Sequence, residues 1–95
     1  MNGETYRSRM TRKLQGVFAP SLLEIKDDSA SHAGHGGHHP LGESHFSIRI
    51  VSDVFTGMNA VARHRAVYGA LADELKERVH ALSLETLTPD EHTHK

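Results

Sequence analysis

Four of the nine histidines in this 95-residue chain crowd into "SHAGHGGHHP", residues 31–40, where His32, His35, His38 and His39 stand among glycines. Neutral imidazole is a good metal ligand and titrates near physiological pH, so metal binding is the first chemistry this density suggests. A structural zinc site needs four fixed donors, and each liganding ring needs a partner on its other nitrogen to hold its tautomer. A glycine-rich stretch without such partners makes a weak site by itself. It is better suited to adventitious nickel or zinc, or to supplying part of a site completed elsewhere. His80 is a different case, because it follows a helical segment and opens a strand, where a side chain stands at the rim of a sheet. His64 differs again. Winding residues 60–79 at about 100° per residue sets it between Leu71 and Leu75 beside Tyr68, which predicts a packed, hydrogen-bonded histidine. The same winding turns Arg63 away from the core with Glu74 and puts Arg65 at the edge of the stripe near Lys76.

Catalytic constellations are missing. There is no cysteine, no Gly-x-Ser-x-Gly, no His-Glu-x-x-His and no phosphate-binding glycine loop. The acidic doublets Asp27/Asp28 and Asp73/Glu74 are adjacent in sequence, so their side chains diverge on a helix or a strand and read as solvated charges. A non-enzymatic protein without a small-molecule substrate is therefore expected. The formal charge of −1 gives no support for a nucleic-acid or membrane-surface protein, although protonating nine histidines would move it to +8. Zero cysteines exclude disulfides and thiolate ligands, so any thiol must come from a partner. No apolar run approaches a bilayer span and "MNGETYRSRM" lacks a secretory h-region, which leads to the expectation of a cytoplasmic protein.

The elements that must position these residues follow from periodicity. Tyr6, Met10, Leu14 and Val17/Phe18 define a helix over residues 4–18, with Arg7, Arg9, Arg12 and Lys13 on a basic outer face and Pro20 as its stop. "LLEIKDD", residues 22–28, alternates as a half-buried strand. A Gly/His/Ser loop over 29–44 is too long to be a plain connection. "HFSIRIVSD" sets Phe46, Ile48 and Ile50 on one face of a second strand. One turn capped by Ser52 or Asp53 comes next, followed by a helix over 60–77 behind an Asn59 cap and a third strand over 80–87 with Leu82 and Leu84 inward. Residues 90–95 read as a flexible tail, with room for one helical turn after Pro89. The order α-β-β-α-β predicts an α+β fold in one domain, residues 1–95. Its three-stranded mixed sheet carries helices on one face, with the second and third strands parallel across a helical crossover.

At this point "HFSIRIVSDVFTGMNAVARHRAVYGALADEL" and "VHALSLETLTPDE" resemble the BolA family, its bacterial and mitochondrial members in particular. Phe55-x-Gly57, Arg63-His64-Arg65, Val67-Tyr68, Leu71 and Val79-His80-Ala81-Leu82 stand at the family's spacing, and the likeness runs from the first helix to Glu91. The resemblance implies a fold like a class II KH domain. It also implies partnership with a monothiol glutaredoxin around a shared, bridging 2Fe-2S cluster, to which the glutaredoxin and glutathione give thiolates. On that pattern the family's motif histidine is His80. The loop ligand matches His32, which follows the first strand in "DDSASHA", with His35, His38 or His39 as alternatives in this extended loop. No cofactor is expected in the isolated chain.

A second function associated with the family is DNA-binding transcriptional regulation. For it stand the basic first helix and Arg63, Arg65, Lys76 and Arg78 as a nucleic-acid or partner surface. Against it stand the net charge of −1 and "TGMN" in place of the KH Gly-x-x-Gly loop. A KH-like interaction module is the third expectation.

Overall fold

The computed structural model describes residues 5–27, 45–79 and 81–93. Helix α1, Tyr6–Phe18, starts at Thr5, whose side chain accepts the Ser8 amide at 3.0 Å. Met10, Leu14 and Phe18, four residues apart, are its buried stripe. Val17 is 58% exposed, so Phe18 is the inward member of that pair. The helix closes with Ala19 in the left-handed region (φ 43°, ψ 54°), its amide donating to the Gln15 carbonyl, and Pro20 then prevents continuation.

Strands β1, Leu22–Asp27, and β2, His45–Val51, pair antiparallel, while β2 and β3, Ala81–Leu87, pair parallel. The order β1-β2-β3 gives the mixed sheet expected from the helical crossover. Phe46, Ile48 and Ile50 face Met10, Leu14, Phe18, Phe55, Val67, Leu71 and Val79 in one core, with Leu23, Ile25, Leu82 and Leu84 at its margin. The other face carries Glu24, Arg49 and Glu85 in one cross-strand row, Arg49 Nε donating to Glu85 at 2.7 Å. Buried Ser52 fastens the end of β2 to α1: its hydroxyl donates to the Phe18 carbonyl at 2.6 Å and accepts the Val54 amide at 3.1 Å. A 3-10 turn, Asp53–Phe55, follows it, and Phe55 packs on Phe18 at 5.2 Å between ring centroids.

Three sequence expectations change here. The helix expected over 60–77 is two, α2 at Ala60–Ala70 and α3 at Ala72–Glu77, separated by Leu71, whose amide is shared between the Val67 and Tyr68 carbonyls. Asn59 caps α2 as expected, accepting the Ala62 amide. Second, the most buried line of this pair runs through Arg63, Val67, Leu71 and Glu74; of the expected stripe Leu71 is buried and Leu75 packs half-buried against the core, while Tyr68 is exposed and His64 only half-buried. Glu74 is 0% exposed and the Arg63 side chain 12%, whereas Tyr68 is 39% exposed. His64 is half-buried and its side chain makes no hydrogen bond among the described residues. The periodicity of a local window cannot show partners 28 to 65 residues away, Glu91 for Arg63 and Lys13 and Arg9 for Glu74. Third, residues 90–93, expected in a tail with room for one helical turn after Pro89, take up that turn as helix α4, Pro89–Thr93. Thr88 and Glu91 form a capping box around Pro89 in the first helical position, each side chain accepting the other's amide at 3.1 and 3.0 Å.

Candidate functional site

β1 leaves the sheet at Asp27, opposite Phe46; β2 enters at His45, and β3 enters at Ala81 in register with His45. One end of the sheet thus carries both ends of the segment 28–44 and the start of β3, immediately after position 80. His32, His35, His38, His39 and His80 themselves lie outside the described residues, as does the loop expected over 29–44. The described neighbours of position 80 are held firmly. Val79 is 1% exposed and its amide donates to the Glu74 carbonyl at 3.0 Å, and Ala81 begins the ladder with β2.

Among the described residues no group of three or more histidines and carboxylates is placed to hold a metal ion. The donor chemistry of the chain suits half of an iron–sulfur ligand set. Imidazole pairs do ligate iron in such clusters, but with no cysteine in the sequence the thiolates must come from elsewhere.

A cluster of charges joins α1 to α3, the helix that precedes position 80. Arg9 donates through Nε to Glu74 at 3.1 Å and makes a two-pronged pair with Glu77 at 2.8 and 3.1 Å. Lys13 Nζ reaches Glu74 at 2.8 Å and Asp73 at 3.5 Å, and the Tyr6 hydroxyl donates to Glu77 at 2.9 Å. Glu77 is pulled down to about 2, first by the Arg9 hydrogen bond and then by Tyr6; Lys13 is raised, chiefly by its hydrogen bond to Glu74. Arg9 and Lys13, expected on an outer basic face, are therefore committed to the fold.

The four cations expected on a nucleic-acid or partner surface divide. Arg63 is an internal tie. It donates to the Met58 and Thr86 carbonyls at 2.9 and 3.0 Å and grips Glu91 at 2.6 and 3.1 Å, with Phe55 beneath its guanidinium. That grip, followed by the Thr88 amide, holds the Glu91 carboxyl down at about 2. Arg65 and Lys76 are exposed, and Arg78 lies half-buried over the Tyr6 ring at 5.2 Å. The sequence reading missed Glu74 and Glu91 as partners; for Glu91 the Thr-x-x-Glu capping pattern was the available signal. No helix among the described residues is long and apolar enough to cross a membrane.

Comparison with known proteins adds the family. Residues 14–91 match the model of a family described as BolA-like protein. The chain is 48% identical over 90 residues to Protein BOLA1, chloroplastic, of Arabidopsis thaliana, covering 93% of this chain and 56% of the plant protein. It is 45% identical over 82 residues to the DNA-binding transcriptional regulator BolA of Escherichia coli, covering 86% and 74%. The solved structure of BolA1 from Arabidopsis thaliana superposes with a TM-score of 0.82 at 45% identity, over 93% of this chain and 96% of that one. Against SufE-like protein 1 of the same plant, 47% identical over 87 residues and 87% of this chain, the chain spans 24% of the longer protein's length.

Proposed function

The chain belongs to the BolA-like family, and on that footing we propose that it is a non-enzymatic partner of a monothiol glutaredoxin in the cytoplasm, sharing a bridging 2Fe-2S cluster for iron–sulfur trafficking or iron sensing. The observation that carries this reading is the convergence of Asp27, His45 and Ala81 at one end of the sheet, because it roots the histidine-bearing segment and position 80 in the same place. His80 would be one ligand and His32 the other, with His35, His38 or His39 able to replace His32. The partner's cysteine and glutathione complete the set, and the cluster when bound supplies the iron–sulfur chemistry. This chain's contribution is to present two neutral imidazoles, one next to the ladder that begins at Ala81 and one on the segment that follows β1. Adding the chain to a glutathione-loaded glutaredoxin cluster should change its visible absorption and circular dichroism; an unaltered spectrum would refute the partnership.

A second reading, DNA-binding regulation, is favoured by the name of the Escherichia coli relative and by the exposed Arg65 and Lys76. Such binding would be dominated by phosphate contacts, so its affinity should fall steeply with salt. Sequence-specific binding that persists at high salt would require a base-reading element the described residues do not offer.

A further inference from the structure

We propose, resting on the reading of His80 as a cluster ligand, that Glu74 is the positioning residue of that ligand, acting through Val79 and itself held by Arg9 and Lys13 of α1. Two ends of one residue are involved. The Glu74 carboxylate, 0% exposed, is gripped from α1 by Arg9 at 2.9 Å and Lys13 at 2.8 Å. Its backbone carbonyl accepts two successive amides, Arg78 at 3.1 Å and Val79 at 3.0 Å, which closes α3 just before position 80. Val79 is itself 1% exposed in the core, and Ala81 is in register with His45. The turn leading into β3 is thus tied to α1 through the Glu74 side chain, and Arg9 and Tyr6 add a second hold one turn later at Glu77.

An apolar side chain of similar size would fill the same space next to Leu71, and buried ion pairs are commonly replaceable in that way without loss of stability. What two cations add is direction. They fix the rotation of α3 against α1, and with it the register in which the chain reaches β3. Groups that orient a ligand from one shell away typically change metal affinity when removed, although they never touch the metal.

The test uses the full chain with Glu74→Gln, Lys13→Gln and Lys13→Arg, and two readouts. In the metal-free chain, amide exchange at Arg78 and Val79 is compared with that at Ile48 and Ile50 in the central strand. With a glutathione-loaded glutaredoxin, the loss of the mixed-cluster spectrum to a chelator is timed. Glu74→Gln and Lys13→Gln should speed exchange at Arg78 and Val79 alone and shorten cluster retention roughly 10-fold or more, and Lys13→Arg should restore both. Should Glu74→Gln fail to fold, Lys13→Gln decides. Unchanged exchange at Val79, exchange raised equally at Ile48 and Ile50, or unchanged cluster retention would each overturn the proposal. If the wild-type chain forms no mixed cluster, the glutaredoxin reading falls and this role with it, whereas exchange alone then shows whether Glu74 fixes Val79.

Discussion

Arg63 and His64 are adjacent in the chain and opposite in character. Arg63 satisfies two backbone carbonyls and a carboxylate at once, a geometry that suits the planar fork of guanidinium and not the point charge of an ammonium. Arg63→Lys should therefore destabilise the fold by about 1.5–3 kcal/mol, the range for hydrogen bonds involving charged groups, as read from urea unfolding. His64, half-buried and with no side-chain hydrogen bond among the described residues, should cost less than about 1 kcal/mol when replaced by Ala. A larger loss at His64 than at Arg63 would restore the helix face that sequence periodicity suggests. The inversion has a clear cause. Arg63 and Glu74 carry the most polar side chains of the 60–77 segment's inner face, and each becomes tolerable there only through partners on other elements.

At the scale of elements, the strands and the Asn59 cap were legible because their signals are local. Phe46-x-Ile48-x-Ile50 alternates, Asn59 precedes an alanine-rich run, and Gly57 (φ 85°) breaks the turn after Phe55. The division at Leu71 and the anchoring of α4 were not legible, since a bifurcated amide and an Arg63–Glu91 pair depend on the folded context. Ala19 offers a quantitative test at the end of α1. A non-glycine residue in the left-handed region costs about 1–2 kcal/mol, while glycine brings about 0.4–1 kcal/mol of extra unfolded-state entropy. Ala19→Gly should therefore stabilise the chain by about 0.5–1 kcal/mol in urea unfolding, and a destabilised variant would show that Ala19 is not strained.

For the molecule as a whole, two carboxyls tie distant segments together, Glu77 to α1 and Glu91 to α2, and both are held at about 2 against an ordinary 4.5. A carboxyl whose pKa is lower in the folded state stabilises fully above its unfolded value and loses that contribution as it protonates. Stability should accordingly hold above pH 4.5 and decline between 4.5 and 2, with the decline flattened in a Glu77→Gln/Glu91→Gln variant. A pH profile identical in that variant would remove these pairs from the acid response. The site was legible only in part. The density of histidines singled out the loop and the resemblance to the family singled out His80, but neither the rigid turn at Val79 nor the charge cluster beside it has a local sequence signal. The central claim is that position 80 carries the indispensable ligand while the loop offers substitutes. It is tested most directly by recording the visible circular dichroism of the glutaredoxin mixed cluster with His80→Ala and, in parallel, with His32→Ala. The expected result is no mixed-cluster signature for a folded His80→Ala and a weakened or altered one for His32→Ala; a wild-type spectrum from His80→Ala would contradict it.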